Sequence, residues 1–112
     1  MDIKELQDIV VKFRDDRNWK QFHNPKDTSL SLILEAAELM EHFQWKNEKE
    51  IEDYIKSNKE EIGRELADIL YWVLLISHDL TIDIVKIFNK KIFLSTLIKY
   101  FSILIMMIIA EI

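Results

Sequence analysis

Leu34–Met40, reading LEAAELM, and Arg64–Trp72, reading RELADILYW, are the two stretches that decide the fold. The first carries Glu35 and Glu38, the second Glu65 and Asp68, each pair three residues apart. On a helix, residues so spaced lie on one face, one turn above each other. Each stretch therefore aims two carboxylates from one side of its helix. Two such helices packed antiparallel bring four anions into one small volume. That arrangement calls for a hard cation held by oxygen ligands, Mg²⁺ foremost, with Mn²⁺ as the alternative ion.

A carboxylate pair at this spacing is common in a chain that is 31% charged, and a polar helix face is ordinarily just a wet one. The surroundings argue against that here. Between Leu66 and Ser77, Asp68 is the single charged residue, and the line through Glu61, Glu65 and Asp68 runs on into Trp72 and Leu75. Around Glu35 and Glu38 the polar stripe is narrow, from Ser31 to His42, and the rest of the circumference is Leu, Ile, Ala, Met and Phe. Helices apolar on most of their surface are buried on most sides, where ionisable groups are rarely decorative.

The remaining composition fits long helices. The chain has 112 residues with one Gly, one Pro and 49% hydrophobic residues, and it shows no extended alternation of apolar and polar positions. These features predict one all-α domain over 1–112, an antiparallel helical bundle small enough to be helped by oligomerisation. A net charge of −5 argues against non-specific nucleic-acid binding. The lack of cysteine excludes disulfides, thiolate metal sites and cysteine nucleophiles, and fits a cytoplasmic protein. The opening MDIKELQD has no apolar signal-peptide core.

Along the chain, Asp2 is placed to cap a first helix ending near Asp16, with Ile3, Leu6, Ile9, Val10 and Phe13 as its buried face. Residues 17–27, RNWKQFHNPKD, read as a loop rich in aromatic residues: Trp19, Phe22 and His23. Asp27 or Thr28 is expected to cap the second helix, which runs to about Phe43. Asn47 caps a short charged helix to about Lys56. Ser57 and Asn58 restart a long helix to about His78, in which Gly63 suggests a close approach by a neighbouring helix or a ligand. Thr81 is expected to cap a last helix from Ile82. Its apolar end, residues 92–112, is interrupted by Lys99, and the uncharged run Tyr100–Ala110 falls short of the roughly 20 residues a membrane span needs. A helix buried between subunits is the preferred reading, with no membrane partner expected and a membrane-associated or sequence-altered tail as the alternatives.

Three segments together carry a resemblance: RNWKQFHNPK, LEAAELMEHFQWK and EEIGRELADILYW. The chain resembles the all-α nucleoside triphosphate pyrophosphohydrolases, the MazG-like group, and within it the dCTP pyrophosphatases. The similarity covers roughly residues 3–91. The family's metal signature, Glu-x-x-Glu followed by Glu-x-x-Asp, falls on Glu35, Glu38, Glu65 and Asp68. The resemblance implies Mg²⁺-dependent hydrolysis of a nucleoside triphosphate to monophosphate and pyrophosphate, in a homodimer or homotetramer. It implies that Trp19, His23, Trp45 and Trp72 surround base and sugar. Glu38 and Glu65 are the carboxylates assigned to the chemistry.

The chain departs from the family pattern towards its end. Lys90 and Lys91 are placed to meet the phosphates, with Lys91 the candidate ligand. Ser95 stands where the family has Asn, Phe101 replaces a Pro, and apolar sequence replaces a polar tail. Two other readings compete. A di-iron bundle would want Glu-x-x-His on two helices, which is absent here. A catalytically weak or inactive helical assembly or nucleotide-binding protein would keep the fold without turnover.

Overall fold

The computed structural model describes residues 1–112 and contains four α-helices and one short 3-10 turn, with no strand. The expected all-α class is what the chain adopts. The helices are α1 (Ile3–Asp16), α2 (Pro25–Glu41), α3 (Glu48–Asp79) and α4 (Ile84–Ala110), and the 3-10 turn is Trp19–Phe22. Two compact units result, Met1–Ile82 and Asp83–Ile112.

In the first unit, α3 packs against both α1 and α2. The α2–α3 pair is antiparallel. Glu35 interacts with Asp68, Glu38 with Glu65 and His42 with Tyr54, so position rises along one helix as it falls along the other. Asp2 caps α1 by accepting from the Glu5 amide at 2.8 Å. Asn47 and Glu50 form a reciprocal capping box at the start of α3, satisfying two amide donors that a helix start leaves free. The break expected at Ser57 and Asn58 is present as a kink that joins two helical segments into α3. Asn58 leaves helical geometry at φ −129° and ψ 22°, and its side chain donates to the Tyr54 carbonyl at 2.8 Å.

Two helix starts differ from expectation. α2 begins earlier than Asp27 or Thr28: Asn24 is extended and accepts from the Asp27 amide at 3.0 Å, and Pro25 opens the helix. Proline suits that first position because its missing N–H has no helical partner there. Thr28 is instead buried inside the helix and bonds back to the Asn24 carbonyl at 2.9 Å. At α4, Thr81 adopts φ 56° and the cap is Asp83, which accepts from the Lys86 amide at 3.0 Å. Within 17–27 the segment Trp19–Phe22 coils into the 3-10 turn, after Asn18 in the left-handed region at φ 58°.

The core is small and partly polar. Leu74 and Leu75 are its buried apolar residues, joined by Arg14, Thr28 and Ser77. Gln7 ties α1 to α3 by donating to the Leu74 carbonyl at 3.0 Å and to the Ser77 hydroxyl at 3.1 Å. Ile3, Ile9 and Phe13, expected in the buried face of α1, are exposed, whereas Leu6 and Val10 are half-buried. A methyl group added at Gly63 would meet nothing within 4 Å, so no close approach within this chain accounts for that glycine.

The second unit is α4 alone with its flanking residues. It runs unbroken through Lys99 and is long and apolar enough to cross a membrane by length and composition.

Candidate metal centre

The antiparallel α2–α3 pair sets the register that brings carboxylates together. Ligand oxygens of Glu35, Glu38 and Glu65 all lie within 4.8 Å of one another. Glu35 and Glu65 are half-buried and Glu38 is exposed. Asp68 is exposed and lies outside this trio, although its charge acts on both Glu35 and Glu65.

The electrostatics show the strain of gathering like charges. The Glu35 carboxyl is pushed above its ordinary range by burial first, then by the charges of Asp68 and Glu38. The Glu65 carboxyl is also pushed up, by partial burial and by its hydrogen bond and repulsion with Glu38, while His42 opposes the rise. One Glu35 oxygen is buried without any hydrogen-bond partner. An orphaned buried carboxylate oxygen beside two further carboxylates fits a divalent cation, and an all-oxygen donor set is what Mg²⁺ and its relatives take.

A polar pocket of about 330 Å³ opens beside the carboxylates, lined by Glu38, Glu41, His42, Tyr54 and Glu65. His42 spans it. Its Nδ1 lies 2.5 Å from the Tyr54 hydroxyl and its Nε2 lies 3.7 Å from Glu65 Oε1. In sequence, Tyr54 reads as an inward-facing residue of the charged start of α3, together with Ile51 and Ile55, and its hydroxyl has no assigned role. The available signal for His42 was its place four residues beyond Glu38, continuing the acidic stripe.

A second cluster forms from the loop and the far end of α3. The His23 ring meets Trp72 edge-on at 5.5 Å, and Trp72 meets Tyr71 at 5.0 Å. Phe13 bridges Tyr71 at 6.3 Å and Trp19 at 5.7 Å, with the Arg17 guanidinium 3.5 Å above the Phe13 ring. The structure thus gathers Trp19, His23 and Trp72 into one aromatic chain. His23 is shifted towards its neutral form by burial and by the nearby charge of Arg14, and its Nδ1 is buried without a partner. Trp45 follows α2 and is 87% exposed. Lys91 is exposed on α4, in the second unit.

The MazG-like family model matches residues 30–96, a span that contains all four predicted carboxylates. The chain belongs to the MazG-like family. Trp19 and His23 precede the matched span; Trp45, Trp72 and Lys91 lie within it. Among curated proteins, the chain is similar to dCTP pyrophosphatase 1 of Bos taurus, 31% identical over 84 residues, which is 73% of this chain and 50% of that protein. It is 29% identical over 91 residues to dCTP pyrophosphatase 1 of Rattus norvegicus, covering 80% of this chain and 54% of that one. The chain spans about half the length of these curated relatives. A solved pyrophosphatase from Archaeoglobus fulgidus DSM 4304 superposes with a TM-score of 0.75 at 34% identity, covering 80% of this chain and 83% of that one.

Proposed function

We propose that this MazG-like chain hydrolyses a nucleoside triphosphate to the monophosphate and pyrophosphate, with Mg²⁺ or Mn²⁺. The observation that carries this reading is the convergence of Glu35, Glu38 and Glu65 from two helices within 4.8 Å. The likeness to dCTP pyrophosphatases and to an archaeal pyrophosphatase supports the reaction class. A deoxypyrimidine or modified nucleoside triphosphate, dCTP-like, is the substrate class we favour.

Glu35, Glu38, Glu65 and Asp68 are the residues that would hold the cation. A bound divalent cation offsets the charge of the triphosphate and supplies the Lewis acidity the reaction needs. Glu38, the most open of the trio, lines the pocket together with Glu65. These two are therefore the carboxylates we assign to aligning the water that attacks the α-phosphorus. Trp19, His23 and Trp72 form the aromatic surface for base and sugar, and Trp45 is a further ring for stacking. Stacking on such rings contributes about 1–3 kcal/mol and does not by itself choose a base. Lys91 is the residue we assign to the phosphates.

Assembly into a homodimer or homotetramer is part of the proposal. Ile33, Leu34 and Met40 on α2 and Leu66 and Leu70 on α3 are exposed, and α4 is exposed from Val85 onward. Apolar surface of that extent is ordinarily covered by a partner, and a second copy of the chain is the partner we favour.

The direct test is pyrophosphate release from a panel of nucleoside triphosphates, with Mg²⁺ and with EDTA. Cation-dependent release with a monophosphate product is expected, and the ranking across the panel names the base. A folded protein that binds nucleotide but releases no pyrophosphate would sink the enzyme reading. It would favour the second one, a nucleotide-binding or assembly protein. The replacement of the family's Asn by Ser95, and of its polar tail by the apolar run of α4, are the observations on that side.

A further inference from the structure

We propose that Tyr54 and His42 act as positioning residues for Glu65, holding one of its carboxylate oxygens through a directed chain of donors. The proposal rests on the reading of the acidic trio as a cation site. It concerns residues outside that trio and outside the aromatic cluster.

The His42 ring has polar partners at both nitrogens, on two different parts of α3. Nδ1 is 2.5 Å from the Tyr54 hydroxyl, near the start of the helix, and Nε2 is 3.7 Å from Glu65 Oε1, beyond the kink. A neutral imidazole carries one N–H, and the tautomer follows from what each nitrogen faces. Where Glu65 is ionised it only accepts, and a neutral His42 facing it then carries its proton on Nε2. Nδ1 then has a lone pair, and the Tyr54 O–H donates to it. The chain runs Tyr54 O–H to His42 Nδ1, then His42 Nε2–H towards Glu65. The second link, at 3.7 Å, is an electrostatic contact beyond hydrogen-bond distance.

Tyr54 is itself held. Its ring packs edge-on against Phe43 at 6.3 Å, and the Lys46 ammonium lies 4.2 Å above the ring centre. Lys46 also donates to the His42 carbonyl at 2.7 Å. Asn58, the residue at the kink, bonds the Tyr54 carbonyl. The kink thus fixes the segment that presents the hydroxyl. Without that hydroxyl the imidazole is free to move its proton to Nδ1, which would turn a lone pair towards the Glu65 carboxylate. Partners of this kind, one step behind a ligand, set its orientation, and losing one ordinarily weakens metal affinity by about 10–100-fold.

The experiment has two arms. In cation-free full-length protein, the ¹⁵N resonances of the histidine rings report the tautomer: His42 is expected as Nε2–H in the wild type and as a mixture in Tyr54→Phe. Mn²⁺ affinity, followed by electron paramagnetic resonance without nucleotide, is expected to fall roughly tenfold or more in His42→Leu. Tyr54→Phe should shift it the same way by less. His42→Gln should recover most of it, because an amide N–H can still donate to Glu65; a purely packing role would not be rescued by that polar replacement. An Nδ1–H tautomer in the wild type, or a folded His42→Leu with wild-type Mn²⁺ affinity, overturns the proposal. Wild-type protein with the Nε2–H tautomer but no Mn²⁺ binding would instead sink the cation reading and support the donor chain by itself.

Discussion

Arg14 donates from Nη1 to Asp79 Oδ2 at 2.5 Å, tying α1 to the last residue of α3 across 65 positions of sequence. The Arg14 side chain is 0% exposed and also donates to Asp15 at 3.0 Å. A buried guanidinium stripped of an anionic partner is costly, because its charge keeps the desolvation penalty and loses the offsetting contact. Asp79→Asn is therefore expected to lower stability by about 2–3 kcal/mol, read from denaturant unfolding.

The same pair sets a pH dependence. Burial alone would raise the Asp79 carboxyl, but hydrogen bonds and charge from Arg14, helped by His78, outweigh it and hold the group below its ordinary range. The folded state thus binds that proton less readily than the unfolded chain. Its contribution is complete above the ordinary aspartate range, near about 3.9, and is lost as pH falls through the lower folded value. Thermal midpoints of the wild type should drop across that acid window, and Asp79→Asn should remove this part of the drop.

Glu35→Gln should have opposite effects with and without divalent cation. Glu35 is half-buried, with one unpartnered oxygen and three acidic neighbours that act on it: Asp68, Glu38 and Glu65. In EDTA at neutral pH, removing its charge relieves repulsion, and the thermal midpoint should rise. With Mg²⁺ or Mn²⁺ added, the wild type should gain stability by linkage, and Glu35→Gln should gain less. A variant stabilised by cation as much as the wild type would remove Glu35 from the proposed ligand set.

Gly63→Ala should stabilise the fold. Gly63 sits inside α3, and the added methyl meets no atom within 4 Å. Alanine is favoured over glycine in a helix interior by about 1 kcal/mol, largely through the unfolded chain. A loss of stability would show that this face is covered in the assembled protein.

Trp45→Ala separates folding from binding. The ring is 87% exposed, so its removal should change unfolding free energy by no more than about 0.5 kcal/mol. If the ring stacks on the substrate base, as proposed, nucleotide affinity should fall by about 1–3 kcal/mol. Isothermal titration with a non-hydrolysable triphosphate in the presence of Mg²⁺ reads both the affinity and its dependence on the base.

The sequence by itself determined the helices and the faces they offer. A 3.6-residue repeat, Asp2 and Asn47 as caps, and the i, i+3 spacing of Glu35–Glu38 and Glu65–Asp68 are local properties, set by backbone geometry within one or two turns. Even the kink at Asn58 was legible, as an expected restart at Ser57 and Asn58. The tertiary structure decided which local features meet. It gathered three carboxylates and left Asp68 outside their trio, placed Tyr54 and His42 beside Glu65, and buried Arg14 where a reading by residue type sends arginine to solvent. The physical reason is that a charge is tolerated or excluded according to what faces it, and what faces it comes from another helix, whose register no short stretch of either helix contains.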